Sequence, residues 1–534
     1  MASAQFPKPG DHQFQYGTAG FRMKADLLDS VVFRVGLLAA LRSRRLNGST
    51  IGVMITASHN PPADNGVKLV DPMGEMLESS WEKYATNLTN ASTDEELVTT
   101  YTNLVKETHA FDVTPKVVFA RDTRASGSRL VAALVAGLEA AGAEYQDYKL
   151  LTTPQLHYVT RCINTKGSPH AYGEATEEGY YQKLATAFKT ASAGKKFHGE
   201  IIVDCANGVG GPKLQQFLKY LPPVAEGGIN IRVVNDDVVQ PDRLNYNCGA
   251  DYVKTNQRAP PSSHAEKMQR CCSLDGDADR LIYYFIDNDD TFHLLDGDRL
   301  STLAALFLSD LVKSAGFPAE KLRIGVVQTA YANGASTEYI TERLKLPVIC
   351  TNTGVKHLHH EATKFDIGVY FEANGHGTVL FSDVALKRIW KHEPQSPAQK
   401  IALDTLQACT QLINQTVGDA ISDMLFIELI LAHKGWSPKE WDLTYKDLPN
   451  RLGRVEVRDR NIFVAIDAER KLAEPMGMQA EIDNLVGKHK SGRAFVRASG
   501  TEDAVRVYTE AATRSEAEEL LQKITVRVRE YGNR

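Results

Sequence analysis

One pattern sets the outline of this chain: a short β-branched run, a knot of turn residues, then a stretch of helical period, met three times. Lys116–Ala120 runs into Arg121–Gly127 and a helical stretch from Arg129 that stops at Gly142. Glu200–Val203 runs into Asp204–Gly208 and a helix from Pro212, and Arg323–Val327 runs into Gln328–Gly334 and a helix from about Ser336. A switch from strand period to helix period across a loop marks a βα unit. Three such units, spaced roughly a hundred residues apart, predict three related α/β domains with mostly parallel sheets. A chain of 534 residues also exceeds what one hydrophobic core can serve. The C-terminal part reads differently. Helical stretches at Ala398–Gln415 and Asp419–Lys434 end at Gly435, and a tryptophan-containing linker follows. Strands at Ala494–Arg497 and Val505–Thr509 and a helix from Ser515 to about Arg529 then predict a small α+β domain.

Composition narrows the partners. A formal charge of −5 on this length argues against nucleic acid, which asks for a strongly basic face. No run approaches the ~20 apolar residues that span a bilayer, and Met1–Tyr16 carries no signal-peptide core. The seven cysteines form no C-x-x-C pair, and Cys271 and Cys272 are adjacent, a spacing ill suited to a shared disulfide. Reduced core thiols of a cytoplasmic protein are expected.

Two loops carry the chemistry. Thr56-Ala57-Ser58-His59-Asn60-Pro61-Pro62 follows the apolar run Ile51–Ile55. Paired prolines hold Ser58 on a rigid loop with its hydroxyl outward, but a serine needs a base or metal to become a nucleophile. His59, adjacent on an extended segment, should point away. Lys68 can fold back toward Ser58 if Asn65-Gly66 makes a turn. The second loop, Asp275-Gly276-Asp277-Ala278-Asp279-Arg280, sets three carboxylates at alternate positions before a strand at Leu281–Ile286. Such a set repels itself unless a hard cation neutralises it, which points to magnesium or calcium. The calcium-loop register fails, with Arg280 where glycine is needed and Ile286 where glutamate is needed. A second Asp-Gly-Asp at Asp296–Asp298 reads as a decoy, with Asp298 an N-cap of a helix over Arg299–Ser314.

Two further loops suit a sugar phosphate. Glu372-Ala373-Asn374-Gly375-His376-Gly377 follows a strand at Gly368–Phe371 and offers alternating donors and acceptors to a polyhydroxyl ligand, or is simply a glycine-rich hairpin turn. Thr353-Gly354 can add a wall, while His357, His359 and His360 lack zinc spacing and read as a solvent-facing helix start. Arg497-Ala498-Ser499-Gly500-Thr501, with Arg506 on the next strand, has the arginine forks, hydroxyls and glycine that clamp a phosphate dianion.

Thr56–Pro61, Asp275–Arg280, Glu372–Gly377 and Arg497–Arg506 together resemble, in order, the four signature loops of the α-D-phosphohexomutase superfamily. The Glu-Ala-Asn-Gly-His-Gly loop is similar to that of the superfamily's acetylglucosamine branch. So is the placement of Arg121–Gly127 after the serine loop rather than before it. The resemblance implies three related mixed α/β domains plus a C-terminal α+β domain around a central active-site cleft. The expected domains are 1–180, 181–297, 298–435 and 436–534, each contributing one loop. It further implies that Ser58 is phosphorylated and holds one Mg2+ with Asp275, Asp277 and Asp279. Lys68 is then the general acid/base, and Arg22 supports the transferring phosphoryl group. Glu372, Ala373, Asn374, Thr353 and Gly354 bind the sugar, and Arg497, Ala498, Ser499, Gly500, Thr501 and Arg506 bind the phosphate that does not react.

The implied reaction interconverts N-acetylglucosamine 6-phosphate and 1-phosphate through a sugar 1,6-bisphosphate, which also serves as activator, and feeds UDP-N-acetylglucosamine synthesis. The partner is a small-molecule sugar phosphate, with no nucleic acid, membrane or obligate protein partner. A glucose or mannose phosphate mutase, an aspartyl-phosphate phosphatase using Asp275, and an inactive sugar-phosphate-binding scaffold are the competing readings.

Overall fold

The computed structural model describes residues 2–318, 320–499 and 504–533. It divides into two compact units, residues 1–296 with 404–438 and residues 297–403 with 439–534.

The first unit holds two five-stranded sheets. Strands β1 (Phe21–Lys24), β2 (Thr50–Ile55), β3 (Asp64–Val70), β4 (Lys116–Arg121) and β5 (Glu144–Leu150) pair in the order β1-β3-β2-β4-β5. The second sheet, β6 (Glu200–Asp204), β7 (Asn230–Val234), β8 (Arg270–Leu274), β9 (Leu281–Ile286) and β10 (Phe292–Leu295), has the order β10-β9-β8-β6-β7. In each, three adjacent strands run parallel and the other two are antiparallel additions. Every residue of β2 and of β8 is buried, as suits central strands covered on both faces. The helix Ala420–Lys434 also belongs here. Its N-cap Asp419 accepts from Ser422 N, and it stops at Gly435 in a left-handed turn.

The second unit carries β11 (Ile324–Thr329), β12 (Val348–Thr351), β13 (Ile367–Phe371) and β14 (Gly377–Phe381) in the order β12-β11-β13-β14, the first three parallel. Its C-terminal part has β15 (Asn450–Glu456), a hairpin of β16 (Val464–Ile466) and β17 (Lys471–Glu474), then β18 (Arg493–Ala498) and β19 (Ala504–Glu510). β15, β19 and β18 form an antiparallel sheet covered by the helix Arg514–Gly532. Among the described residues, no helix is long and apolar enough to cross a membrane.

The three expected βα units are present, with helices at Gly127–Ala140, Gly210–Phe217 and Gly334–Glu338, the last prolonged by a π-helical turn at Tyr339–Arg343. The sheets are more mixed than the pattern predicts, for a simple reason. β2 joins β3, β8 joins β9 and β13 joins β14 through loops too short for a crossover, so each pair must be antiparallel. Those connecting loops are the serine loop, the acidic loop and the Glu372 loop. β18 and β19 flank the Arg497 loop in the same way. The serine, acidic and Glu372 loops are therefore hairpin connections, not strand-to-helix ones.

Asp298 is not an N-cap. The helix begins at Gly297, so Asp298 lies in its first turn, buried, accepting from Asn333 N at 2.8 Å. Asp296 pairs with Lys254.

Candidate active site

In the first unit the loops that follow β2 and β8, which belong to two different sheets, come together. Ser58 is buried, 1% exposed, rather than facing outward. Its Oγ–H donates to Asp275 Oδ2 at 2.5 Å, across 217 positions of chain. Asp275, Asp277 and Asp279 are all buried, and one ligand oxygen from each lies within 4.8 Å of the others. Burial, then the charges of Asp279 and Asp277, push the Asp275 carboxyl well above the usual range. The donor set is all oxygen, three acids and a hydroxyl, and Asp277 Oδ1 has no hydrogen-bond partner. That is the chemistry of a hard divalent cation such as magnesium, and the residues fit it.

Cationic groups border the trio. Lys68 Nζ stands 3.3 Å from Asp279 Oδ2 and 3.5 Å from Asp277 Oδ2. It gets there from the interior of β3, not by a turn at Asn65-Gly66. Gly66 sits inside the strand, where a Cβ would come within 2.5 Å of Phe21 O and Thr56 O. Arg22, on β1, donates to Asn60 Oδ1 at 3.4 Å, and burial with the nearby Arg280 lowers its pKa despite the three acids. Arg280 Nε lies 3.8 Å from Asp275. His59 departs from expectation, because the loop is not extended. Ser58 is left-handed at φ 52°, and His59 Nδ1 comes within 3.5 Å of Ser58 Oγ. Burial, Arg280 and Arg22 lower the His59 pKa to about 2, so the ring is neutral.

Sequence reasoning missed several supports. Thr153 donates its hydroxyl to Asp277 Oδ2 at 2.7 Å and its N–H to Asp277 O. It opens the helix Thr153–Thr165, whose capping box of Thr152 and Gln155 was a readable signal. Arg124, in the Arg121–Gly127 loop, donates to the carbonyls of Ser58, Asn60, Pro61 and Asp64. Asn245 reaches Ser58 O at 2.9 Å as well.

In the second unit Glu372, Gly354 and Asn374 lie against one another. Glu372 Oε1 accepts from Gly354 N at 3.0 Å, and its other oxygen accepts from Asn374 Nδ2 at 3.2 Å. Ala373 lies in the turn between them. Of the histidines, His357 and His360 are exposed, but His359 turns inward to Tyr370 Oη at 2.9 Å. Arg497 and Arg506 are directly opposed on β18 and β19. Ala498 ends β18, and Ser499 N donates to Ala504 O at 2.8 Å. Gly500 and Thr501 lie outside the described residues. Glu469 was not foreseen. Its Oε2 accepts from Thr353 N at 3.1 Å and Thr353 Oγ1 at 2.5 Å, and stands 3.5 Å from Arg497 Nε.

Comparison with known proteins settles the kinship. Models of phosphoacetylglucosamine mutase AMG1 match residues 296–436 (domain III) and 170–282 (domain II). The C-terminal domain model of phosphoglucomutase/phosphomannomutase matches 452–525, and its alpha/beta/alpha domain I model matches 37–96 and 82–169. The phosphoacetylglucosamine mutase of Candida albicans is 54% identical over 97% of each chain. The chain belongs to the phosphoacetylglucosamine mutase family. The Homo sapiens phosphoacetylglucosamine mutase is 50% identical over 98% of this chain and 96% of its own. A crystal structure of the Aspergillus fumigatus family member, in complex with GlcNAc-6P and magnesium, matches with a TM-score of 0.96 and 64% identity, covering 99% of this chain and 98% of that one. Membership in the wider phosphohexomutase superfamily follows from the same matches.

Proposed function

We propose that this chain is a phosphosugar mutase that interconverts N-acetylglucosamine 6-phosphate and N-acetylglucosamine 1-phosphate. The observation that carries the reading is a serine hydroxyl 2.5 Å from one member of a buried carboxylate trio. The family's substrate complexes support the choice of sugar, and a further complex of the Aspergillus enzyme holds glucose 1,6-bisphosphate. The 1-phosphate is the form that a nucleotidyl transfer to UDP-N-acetylglucosamine requires.

In this reading Ser58, together with Asp275, Asp277 and Asp279, holds one Mg2+. The ion, when bound, supplies Lewis-acid neutralisation of a phosphoryl group that would otherwise be repelled by the trio. Ser58 carries the phosphoryl group and passes it to the free sugar hydroxyl. The Oγ–P bond breaks as the new O–P bond forms, and the sugar 1,6-bisphosphate results. After the sugar turns end for end, the other phosphoryl group returns to Ser58 Oγ. Phosphate-monoester cleavage is slow enough to need accelerations of up to ~10²¹. Positioning and charge supply most of that in a loose transition state. Arg22 neutralises the transferring group, and Lys68 Nζ carries the proton of the sugar hydroxyl. Glu372, Ala373 and Asn374, with Thr353 and Gly354, hold the sugar. Arg497, Ala498, Ser499, Gly500, Thr501 and Arg506 hold the phosphate at rest. Segments 1–180, 181–297, 298–435 and 436–534 each supply one loop. A cytoplasmic setting belongs to this reading, supported by seven free cysteines of which six are buried.

The opposed pair Arg497 and Arg506 supports the phosphate assignment, since like charges directly across a sheet destabilise it unless an anion sits between them. Glu469 supplies part of that negative charge. Replacing it by glutamine (Glu469→Gln) is expected to tighten inorganic phosphate binding by about fivefold, the upper range for a partly exposed pair. Competitive inhibition of turnover by phosphate measures it, and unchanged or weaker inhibition removes Glu469 from the clamp.

Phosphorus NMR with N-acetylglucosamine 6-phosphate, magnesium and a trace of glucose 1,6-bisphosphate tests the function. A growing sugar 1-phosphate resonance is expected. No conversion, or conversion of glucose 6-phosphate in clear preference, overturns it.

A further inference from the structure

Ser58 is held in a backbone conformation that an L-residue seldom adopts, with φ at 52°. Such strain persists only where neighbours over-determine it. Here two side chains grip the same two carbonyls. Arg124 Nη2 donates to Ser58 O at 2.9 Å and to Asn60 O at 2.8 Å. Asn245 Nδ2 donates to Ser58 O at 2.9 Å and to Asn60 O at 3.2 Å.

The two donors come from different sheets. Arg124 follows β4, in the sheet that bears the serine. Its guanidinium is fully buried, with Nη1 on Pro61 O at 2.6 Å and Asp64 O at 2.8 Å. Its Nε donates to Asp122 Oδ2 at 3.0 Å, and that same oxygen accepts from Thr56 Oγ1 at 2.8 Å. Asn245 instead follows β7, in the sheet that bears the acids, and its own N–H donates to Ala206 O at 2.8 Å. Gly276, between Asp275 and Asp277, closes the arrangement. A Cβ there would stand 2.6 Å from Ser58 O and 3.0 Å from Asn245 Nδ2. Main chain of the acidic loop therefore lies directly against the carbonyl that the two side chains hold.

We infer that Arg124 and Asn245 are positioning residues that fix Ser58 Oγ against the carboxylate trio, Asn245 doing so from the acid-bearing sheet. Neither acts on the sugar or the metal. Both act through the main chain of the nucleophile. The inference deepens the mutase reading and rests on it. Arg124 sets the shape of the serine loop. Asn245 sets where that loop stands relative to Asp275, and so the 2.5 Å approach of the hydroxyl.

Asn245 is the residue to test, because Arg124 has enough buried bonds that its loss would unsettle the loop altogether. Asn245 is itself left-handed at φ 58°, so alanine would add strain of its own. Glycine (Asn245→Gly) keeps the backbone and removes the donor. Aspartate (Asn245→Asp) keeps size and backbone preference and turns the donor into an acceptor facing two carbonyls. A nucleophile misplaced by about 1 Å costs on the order of 10²-fold in rate. We expect kcat to fall about 10²-fold in Asn245→Gly and at least as far in Asn245→Asp. KM for N-acetylglucosamine 6-phosphate should stay within about threefold, since neither Asn245 nor Ser58 is among the residues assigned to the sugar and the resting phosphate. Phosphoryl loading of Ser58 from glucose 1,6-bisphosphate, followed by intact-protein mass in a single turnover, should slow by the same factor as kcat.

A purely structural role has a different signature: a lower Tm with normal kcat per folded molecule. That result overturns the inference, as does a loss that falls on KM for the sugar phosphate instead of kcat. An active wild type matched by both variants overturns it alone. A wild type that fails to turn over overturns the mutase reading and this inference with it.

Discussion

Replacing Ser58 by alanine (Ser58→Ala) is expected to lower kcat by at least about 10⁴-fold, because a nucleophile acting as part of a unit takes nearly all of the unit's effect with it. The hydroxyl oxygen is the only heavy atom lost, and in the proposed scheme it is the atom to which the phosphoryl group binds. No neighbour can stand in. His59 Nδ1 is close, at 3.5 Å, but a phosphoryl group there would bond to nitrogen and sit in a different place. Sugar-phosphate binding should survive, because the residues assigned to it lie on β13, β18, β19 and their loops in the second unit. The check is a pair of measurements on one preparation: turnover by phosphorus NMR, and N-acetylglucosamine 6-phosphate binding by calorimetry. A variant that keeps more than about one per cent of kcat would refute the scheme in which Ser58 carries the phosphoryl group.

Neutralising one acid of the trio (Asp277→Asn) should produce two effects of opposite sign. Turnover should drop by about 10³-fold or more, with Mg2+ affinity reduced at least about 10²-fold, because direct ligands matter more than the outer partners whose loss already costs 10–100-fold. Without metal, the protein should become more stable. Three buried carboxylates within 4.8 Å repel one another, and the nearby cations Lys68, Arg280 and Arg22 offset them in part. Asparagine keeps the shape and can still accept from the Thr153 hydroxyl that now bonds Oδ2 at 2.7 Å. The gain in the metal-free state is on the order of 1–3 kcal/mol, the usual scale for relieving an uncompensated buried charge. Tm in EDTA should therefore rise in the variant, while added Mg2+ should raise the Tm of wild type and leave the variant nearly unmoved. A lower Tm in EDTA for Asp277→Asn would show that the carboxylates are not in conflict, and the metal assignment would lose its physical basis.

Much of the site was legible because its chemistry is local. Asp275, Asp277 and Asp279 can be read as a candidate hard-cation set from their alternation alone, and the structure gathers their ligand oxygens within 4.8 Å of one another. The ends of the helix Ala420–Lys434 were legible too, since Asp419 and Gly435 are the residues that caps require. What misled the reading was also local. The Asn65-Gly66 pair looks like a turn, but here glycine serves the close approach of β1 and of the Thr56 carbonyl. Ser58, three residues before paired prolines, looks extended and outward-facing, yet it is buried and left-handed, with Arg124 and Asn245 holding its carbonyl. The second Asp-Gly-Asp looks like a helix cap, but Asp298 bonds Asn333 N, a partner 35 positions away. Each error came from a residue whose conformation is set by a distant partner.

The amino-acid order by itself determined which groups are available, in which sequence along the chain, and that they sit on turns between apolar strands. Hydrophobic period and turn chemistry act over a few neighbouring residues, so these features need no knowledge of the fold. Only the tertiary structure decided that the hydroxyl after β2 meets the acids after β8, that Lys68 comes from inside a strand, that Thr153 and Asn245 support that meeting, and that Glu469 joins Thr353 and Arg497 within the second unit. Those juxtapositions arise when strands pair and pack across hundreds of residues, and a carboxylate at one end of the chain carries no local mark of the serine it will face.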